Sequence, residues 1–285
     1  MKVVVTGAAG QLGTEVCRLF EKAGHQVLAF GRKELDFTDQ GQCARVLKQI
    51  GPDLIIHCGA YTAVDKAEIE ADLAYRVNAD GTRNLAVEAE KLNCKLCYIS
   101  TDYVFDGTSN VPYKEYDLTN PQTIYGKSKL AGELLTMSLC SRFFIVRTSW
   151  VYGKYGQNFV KTMLKLSKEH TTLNVVHDQV GSPTYTADLA DFLLNLTQTE
   201  KYGIYHASNL GRCTWYEFAQ TIFQVAGIKI SVNPCTTDQF PRPAIRPGFS
   251  VMDNMCIRTN GFKSLRSWQE GLSDFLKEYI DGTDG

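Results

Sequence analysis

Three side chains in this sequence could together deliver a proton to a bound ketone: Thr101, Tyr125 and Lys129. Tyr125 and Lys129 are four positions apart, so they share one face if the segment is helical. A lysine ammonium beside a tyrosine favours the phenolate and lowers the phenol pKa from about 10, which suits general acid–base catalysis near neutral pH. The Thr101 hydroxyl follows an apolar run and can hydrogen-bond a carbonyl oxygen. The structural alternatives are a tyrosine at a helix start, a solvated lysine and a threonine that caps a turn.

The first residues of the chain predict a dinucleotide site. An apolar, valine-rich strand at 1–5 runs directly into Gly7, Gly10 and Gly13, and an amphipathic helix follows. Gly7 permits a tight turn, Gly10 lets the backbone approach a pyrophosphate, and Gly13 lets the helix pack closely on the strand. The helix N-terminus then offers free N–H groups to phosphates. The spacing is GxxGxxG rather than GxGxxG, and its position between a strand and a helix makes the prediction strong.

Composition excludes several classes of partner. A chain of 285 residues with 44% hydrophobic content can bury one large core. Its net charge of −1 gives no reason to expect a nucleic acid or a membrane surface as partner. No stretch approaches the roughly 20 apolar residues of a membrane span, and we see no signal peptide after Met1.

The cysteines favour the cytoplasm. Nine is an odd number, and they are scattered along the chain, which fits reduced thiols better than a disulfide framework. Cys94 and Cys97 form a C-x-x-C at the start of a predicted core strand, without a second pair at zinc spacing. We interpret them as buried structural thiols.

Strands and helices alternate through the first half of the chain. Periodicity predicts strands at 1–5, 26–30, 53–57, 95–100 and 143–147, and helices at 42–50, 71–92 and 125–139. This alternation is typical of an α/β fold, a Rossmann-type doubly wound parallel sheet with helices on both faces.

After residue 150 the pattern changes. Helices are predicted at 158–167, 186–196 and 214–226, with short strands between them, and a proline-rich extended loop at 235–247. We therefore expect a dinucleotide-binding domain at 1–150 and a smaller C-terminal substrate-binding lobe at 151–285. Segments near 178–207 should return to the first domain.

Six motifs together carry a family resemblance. They are TGAAGQLG at 6–13, CGAYTAVDKAE at 58–68, STDYVFDG at 100–107, YGKSKLAGE at 125–133, RTSWVY at 147–152 and DQVGSPT at 178–184. In this order they resemble the extended short-chain dehydrogenase/reductases and, among these, the dTDP-4-dehydrorhamnose reductase family. The resemblance extends over nearly the whole chain.

The resemblance implies a reaction that agrees with the chemistry of the three residues. It is the reduction of the C4 ketone of dTDP-4-dehydro-L-rhamnose to dTDP-L-rhamnose by NAD(P)H. Thr101 and Tyr125 would stabilise the charge that develops on the oxygen, and Tyr125 would give up the proton. Lys129 would lower the Tyr125 pKa and hold the nicotinamide ribose.

Cofactor contacts also follow from the resemblance. The matching positions lie in the phosphate turn, after the second strand and after the third strand: Gly10, Gln11, Leu12, Asp36, Phe37, Ala60, Tyr61 and Thr62. The end of the second strand lacks the carboxylate that usually binds the NAD ribose, and Arg32 is nearby. We therefore predict NADPH as the preferred cofactor, with NADH as the alternative. Arg32 could instead belong to a solvated turn.

For the sugar, the best candidate is Trp150, whose indole face can cover the apolar side of a 6-deoxyhexose. A core tryptophan at a strand end is the alternative. Asp102 and Tyr103 adjoin Thr101 and are expected in the same pocket. Weaker candidates for the nucleotide diphosphate are Asn158, Lys161, Arg242 and Arg246.

Related activities were weighed against the residues present. A 4,6-dehydratase of this superfamily has a glutamate after Thr-Asp, but here Tyr103 follows Asp102. A 4-epimerase shares the Tyr/Lys pair and remains an alternative, as does another nucleotide-sugar reductase. So does a non-catalytic relative, the NADP-binding regulatory subunit of methionine adenosyltransferase, although this chain keeps all three candidate catalytic residues.

Some relatives dimerise through a divalent metal held by carboxylates. Glu15 occupies a matching position, but the partner segment at 184–189 has Ala187 where a glutamate ligand is expected. We therefore predict no metal, and a monomer or weak homodimer.

Overall fold

Twelve strands form one large sheet and several small ones in a computed structural model that describes residues 1–281. In chain order they are β1 (Lys2–Thr6), β2 (Gln26–Phe30), β3 (Leu54–His57), β4 (Lys95–Thr101), β5 (Phe143–Thr148), β6 (Val151–Tyr152), β7 (Thr172–Val176), β8 (Val180–Gly181), β9 (Thr184–Tyr185), β10 (Gly203–His206), β11 (Cys213–Thr214) and β12 (Ser231–Cys235).

Helices connect most of these strands. They are α1 (Gln11–Lys22), α2 (Gln40–Ile50), α3 (Val64–Ala67), α4 (Ala71–Tyr75), α5 (Gly81–Lys91), α6 (Ile124–Leu139), α7 (Phe159–Glu169), α8 (Thr186–Thr197), α9 (Trp215–Val225), α10 (Met255–Thr259) and α11 (Trp268–Asp281). A π-helical turn (Arg76–Asp80) joins α4 to α5, and 3₁₀ turns occupy Asp102–Val104 and Thr237–Gln239. None of the helices within residues 1–281 combines the length and the apolar character that crossing a membrane requires.

The large sheet has six parallel strands in the order β2-β1-β3-β4-β5-β10. The strand order reverses beside β1, which lies between β2 and β3. In an open parallel sheet the carboxyl ends of the strands at such a reversal form a ligand crevice. The glycine turn after β1 and the loop after β3 therefore meet at one place.

Side chains of the sheet alternate between two hydrophobic cores. Val3 and Val5 pack on one face with Phe20 and residues of α8, whereas Val4 packs on the other face with Leu85 and residues of α2 and α5. Successive strand residues point to opposite faces, so the sheet is covered by helices on both sides. The predicted Rossmann-type α/β fold is confirmed.

The later part of the chain has a core of its own. It is formed by α7, α9 and α11 with the paired strands β7 and β12, and aromatic residues such as Phe218 and Phe275 are buried in it. β10 belongs instead to the large sheet, where it pairs with β5. The domain division at residue 150 stays a prediction.

The predicted helix at 71–92 is interrupted. Its middle turn is the π-helical segment, in which the Asn78 side chain hydrogen-bonds the backbone N–H and carbonyl of Tyr61 at 2.8 and 3.1 Å. A π turn widens the helix by one residue and is frequent at functional sites. Periodicity could not reveal it, because the apolar spacing continues through the turn. The last helix, α11, was also not predicted from the sequence.

Candidate active site

A large cleft, about 1810 Å³ in volume, lies at the carboxyl ends of the strands. This is larger than a pocket for one small ligand, which is usually about 300–1,000 Å³, and it has room for a dinucleotide and a nucleotide sugar. Nearly every site residue predicted from the sequence lines it: Gly7, Gly10, Gln11, Leu12, Arg32, Asp36, Phe37, Ala60, Tyr61, Thr62, Thr101, Asp102, Tyr103, Tyr125, Lys129 and Trp150.

The glycine turn is packed directly on neighbouring backbone. Gly7 has φ +66°, and a Cβ atom there would lie 2.5 Å from the Gly59 nitrogen. A Cβ on Gly13 would lie 2.2 Å from the Gly7 carbonyl oxygen, so Gly13 lets α1 pack behind the turn. Gly10 precedes α1 and provides no side-chain cap. The first N–H groups of α1 are therefore left for a ligand.

The part of the cleft beside Asp36 contains two arginines. Asp36 accepts hydrogen bonds from the Thr38 hydroxyl and N–H at 2.7 and 3.0 Å, and these bonds lower its pKa. Arg32 and Arg76 lower the Asp36 pKa further, which places both cations near this carboxylate. Sequence reasoning found Arg32 but missed Arg76, because Arg76 reaches the cleft from the π-helical turn.

Asn78 connects the cofactor loop to the catalytic helix. Besides its two bonds to Tyr61, its side-chain amide donates to the Ser128 hydroxyl at 3.0 Å. Ser128 immediately precedes Lys129 on α6. One buried amide thus fixes the loop that carries Ala60, Tyr61 and Thr62 relative to α6. No local sequence pattern indicates this contact, because the partners are distant in the chain.

Tyr125 and Thr101 are brought together. Thr101 ends β4, and Tyr125 lies in the first turn of α6, which begins where Thr123 accepts the Gly126 N–H at 3.0 Å. Burial raises the Tyr125 pKa to about 12; the nearby Thr101 hydroxyl opposes the shift, and the Asp102 charge adds to it. Thr101 Oγ1 donates to Asp102 Oδ1 at 3.0 Å.

Lys129 does not act on Tyr125 as expected. Its Nζ atom donates to the Ile99 carbonyl at 2.7 Å and lies 4.0 Å from the centre of the Tyr98 ring. Burial lowers the Lys129 pKa to about 7, against the opposing effect of Glu133. The expected lowering of the Tyr125 pKa by Lys129 is not found here, because burial raises this pKa and the ammonium is bonded to the Ile99 carbonyl.

A buried ion pair lies behind these residues. Arg147 on β5 donates to both carboxylate oxygens of Glu133 on α6, and the shortest of these bonds is 2.7 Å. The Ser100 hydroxyl donates to the same carboxylate at 2.5 Å. Both charged side chains are almost completely buried. The pair fixes α6 against β4 and β5, and sequence reasoning did not identify it as part of the site.

Trp150 stacks on a second tryptophan. Its ring lies 3.5 Å from that of Trp215 with an interplanar angle of 7°, and both residues line the cleft. Trp150 has φ +47°, an unfavourable conformation for a residue with a side chain. Behind the indole, a Cβ on Gly181 would lie 2.4 Å from a ring carbon. The backbone is therefore held in a strained form that presents the indole to the cleft.

The four weaker candidates for binding the nucleotide diphosphate lie in two different places. Arg242 and Arg246 line the cleft, and Arg246 donates to Asp65 Oδ2 at 2.8 Å. Asn158 instead caps α7 by accepting the Lys161 N–H at 3.0 Å, and its amide donates to Gln11 Oε1 at 2.8 Å. Lys161 donates to the Gly156 carbonyl at 2.9 Å. These two residues fix a loop beside the glycine turn.

Glu15, the candidate metal ligand, forms an ion pair with Arg18 on the same helix. Within residues 1–281, the structure has no group of three or more His, Cys, Asp or Glu side chains that could hold a metal ion. Absence of a metal stays a prediction for the protein in solution.

The parallel sheet, the glycine turn and the Thr, Tyr and Lys set define a nicotinamide-dependent oxidoreductase of the short-chain dehydrogenase/reductase class. The family model for the RmlD substrate binding domain matches residues 1–280. A Bacillus anthracis dTDP-4-dehydrorhamnose reductase solved in complex with NADP is 48% identical, with a TM-score of 0.96 and 98% and 100% of the two chains covered.

Two relatives that are similar over nearly their whole length point to the same family. The spore coat polysaccharide biosynthesis protein SpsK of Bacillus subtilis is 42% identical, with 99% of each chain covered. The dTDP-4-dehydrorhamnose reductase of Aggregatibacter actinomycetemcomitans is 41% identical, with 98% of this chain and 99% of that one covered. The chain belongs to the dTDP-4-dehydrorhamnose reductase family.

Proposed function

We propose that the protein uses NADPH to reduce the C4 ketone of dTDP-4-dehydro-L-rhamnose to dTDP-L-rhamnose. The observation that carries this proposal is the meeting of Tyr125 and Thr101 in the same cleft as the glycine turn. A phenol beside a dinucleotide site is suited to donate a proton to a ketone that receives a hydride.

The residues of the cleft fit a nicotinamide dinucleotide. Gly7 and Gly59 are in backbone contact, and the N-terminus of α1 is uncapped, so a pyrophosphate can approach these N–H groups. β2 ends without a carboxylate directed at the ribose, whereas Arg32 and Arg76 lie beside Asp36. Two guanidinium groups suit a 2′-phosphate. This supports NADPH over NADH.

Bound NADPH supplies the hydride and its electron pair. The protein provides the proton and stabilises charge on the ketone oxygen, with Tyr125 as donor and Thr101 as its hydrogen-bond partner. Lys129 would hold the nicotinamide ribose through the N–H donors that the Ile99 carbonyl leaves free. Its pKa near 7 lets it do so as a neutral amine or as an ammonium.

The substrate occupies the other end of the cleft in this proposal. Trp150 offers an indole face to the deoxysugar, and Asp102 and Tyr103 border the same space. Arg242 and Arg246 are the cations placed to meet a diphosphate.

The deciding experiment follows NADPH oxidation by the purified protein with dTDP-4-dehydrorhamnose, with the product stereochemistry determined by NMR. Tyr125→Phe should lower kcat by about 10²–10⁴ and leave NADPH affinity close to wild type. NADPH binding without turnover would point to a regulatory subunit. Turnover of a nucleotide sugar without net NADPH consumption would point to an epimerase.

Cofactor preference has its own test. We expect a higher kcat/KM with NADPH than with NADH, and Arg32→Ala should reduce that preference about tenfold or more, since a lost charge-assisted bond is worth about 1.5–3 kcal/mol. A preference for NADH that Arg32→Ala leaves unchanged would refute the assignment.

The assembly and compartment belong to the same proposal. We infer a monomer or a weak homodimer without metal; light scattering with and without a chelator tests this, and a metal-dependent dimer contradicts it. All nine cysteines are free, which supports the cytoplasm as its location.

A further inference from the structure

Only one of the two carboxyl oxygens of Asp102 has a hydrogen-bond partner among the described residues. The residue is 3% exposed. Its Oδ1 accepts the Thr101 hydroxyl at 3.0 Å, whereas its Oδ2 is buried and has no hydrogen-bond partner among the described residues. A buried ionised oxygen without a partner is costly. Such a carboxyl group is suited to take up a proton or to exchange one with a neighbour.

The surroundings of Asp102 favour its protonated form. Burial raises its pKa to about 6, and the nearby Ser250 and Thr101 hydroxyls oppose this shift. The Asp102 charge raises the pKa of two tyrosines. They are Tyr103, which follows it in the 3₁₀ turn, and Tyr125 on α6. Neither tyrosine carries a positive charge, and the Arg246 guanidinium, which lowers the Tyr103 pKa, is paired with Asp65.

The protonation of Asp102 sets the direction of the Thr101 hydroxyl. Thr101 accepts the Tyr103 N–H at 3.2 Å and directs its single proton to Asp102. While it does so, it cannot donate to Tyr125 or to a substrate oxygen. A protonated Asp102 can instead donate to Thr101, and the Thr101 proton then becomes free to point into the cleft.

We propose that Asp102 is the proton reservoir of the reduction and that, through the Thr101 hydroxyl, it replaces the proton that Tyr125 gives to the ketone oxygen. This role rests on the proposed function. The Tyr125 O–H bond breaks as the product O–H bond forms, and the electron pair of the new C–H bond comes from NADPH. The Thr101 proton passes to the phenolate, and the Asp102 proton passes to Thr101.

The remaining carboxylate must then regain a proton. A hydronium ion or a buffer acid delivers it from the solvent that enters the cleft when product leaves, at the side where Ser250 also lines the cleft, and is left behind as water or as the conjugate base. The alternative donor, Lys129, has its Nζ atom on the Ile99 carbonyl. Transfer from a carboxyl of pKa about 6 to a phenolate whose parent pKa is about 12 is strongly favourable.

The test is the pH profile of kcat from pH 5 to 9. In the wild type, kcat should fall as pH rises through one ionisation, since the protonated carboxyl group is the active form. Asp102→Asn keeps an acceptor for Thr101 but has no acidic proton, so its kcat should be at least about tenfold lower and lack that ionisation. Thr101→Val should lose the ionisation as well, whereas Thr101→Ser should keep it.

A matched control is Asp106→Asn, four residues further along, where the carboxylate is half-buried and accepts hydrogen bonds from the Thr108 and Tyr113 hydroxyls outside the cleft. It should keep the wild-type profile. Where Asp102→Asn is inactive, infrared difference spectroscopy on the wild type still tests the idea: a protonated carboxyl band should disappear over the same pH range as kcat, and Asp102→Asn should lack it.

The proposed role of Asp102 is overturned if the pH profile of kcat in Asp102→Asn equals that of the wild type. It is also overturned if the wild type shows no protonated carboxyl band that disappears with pH. A wild-type protein without turnover of dTDP-4-dehydrorhamnose overturns the proposed function instead, so the two failures are distinguishable.

Discussion

The Lys129 ammonium lies 4.0 Å from the centre of the Tyr98 ring, on the side of β4 that faces α6. A cation–π contact of this kind is strongest where water is excluded. Together with the Ile99 carbonyl it gives Lys129 two partners, neither of which is Tyr125. The Ile99 carbonyl takes only one of the three N–H donors of the ammonium, so the others can contact a nicotinamide ribose.

Replacing Lys129 by methionine should stabilise the protein in a pH-dependent way. Burial lowers the Lys129 pKa from 10.5 to about 7, so between these values the unfolded chain binds more protons than the folded one. Stability of the wild type therefore rises with pH over this range. The gain in Tm from Lys129→Met should be largest at pH 6 and smaller at pH 9.

Calorimetry at the two pH values measures this difference, and Lys168→Met, at an exposed position of α7 that does not line the cleft, serves as control. An equal change in Tm at pH 6 and pH 9 would show that the lysine is not desolvated in solution. The same Lys129→Met protein should lose turnover, because the ribose contact in the proposed mechanism disappears.

Gly7→Ala should abolish NADPH binding. The residue has φ +66°, and an added Cβ would lie 2.5 Å from the Gly59 nitrogen, so either the turn or the loop after β3 must move. Gly24 is a matched control, since it has φ +83° with nothing within 4 Å of an added Cβ. Both substitutions strain the backbone by roughly 1–2 kcal/mol, but only Gly7→Ala also creates a clash.

Fluorescence titration with NADPH separates the two effects. Gly24→Ala should bind like wild type with a modestly lower Tm, whereas Gly7→Ala should bind at least about a hundredfold more weakly, the loss expected when phosphate contacts worth about 3 kcal/mol are removed. Wild-type affinity in Gly7→Ala would mean that the pyrophosphate does not approach this turn.

Glu133→Gln should destabilise the fold strongly. Glu133 and Arg147 are 0% and 3% exposed and meet at 2.7 Å, so removing the carboxylate charge leaves a buried guanidinium without its counterion. Breaking such a pair costs about 3–5 kcal/mol. Glu200→Gln is the control, because that carboxylate is 74% exposed and 3.2 Å from Arg142, where a pair is worth about 0–1 kcal/mol.

Chemical denaturation of both variants gives the comparison. If Glu133→Gln loses no more stability than Glu200→Gln, then the buried network is compensated by water or by another cation. The same experiment reports on the site, since α6 carries both Glu133 and Tyr125.

The parts of the protein that local sequence determines were predicted well. β2 was placed at its observed limits, and the glycine turn was recognised because strand, glycines and helix are consecutive. Tyr125 and Lys129 were found because their spacing on one helix is visible in the chain. What the sequence could not supply was the direction of the Lys129 side chain, which depends on burial against β4.

Contacts between distant segments were missed for the same reason. Trp215 is 65 positions after Trp150 yet stacks on it, and Arg246 lies 181 positions after Asp65 yet pairs with it. No local pattern signals such pairs, because they form only when the later lobe packs over the sheet. These contacts complete the cleft.

Asp65→Asn should loosen the segment 240–246, which borders the mouth of the cleft. This segment contacts the opposite wall through Asp65: Arg246 donates to it at 2.8 Å, the Ala244 N–H donates at 3.3 Å, and Arg242 lies 3.8 Å away. An asparagine keeps the shape but removes the charge that attracts both guanidinium groups. Hydrogen exchange in 240–246 should therefore become faster, and exchange in β4 should not change.

The effect on kinetics tells what the contact does for the substrate. If the arginines meet a diphosphate, as proposed, then freeing them from Asp65 should change KM for the nucleotide sugar several-fold while kcat with saturating substrate changes little, because the contact is remote from Tyr125. Asp72→Asn on α4, an exposed carboxylate near Asp65 in the sequence, should alter neither exchange nor KM. Unchanged exchange in Asp65→Asn would mean that the segment is held by its two anchored ends, at the 3₁₀ turn and at Pro247, and that Asp65 does not restrain it.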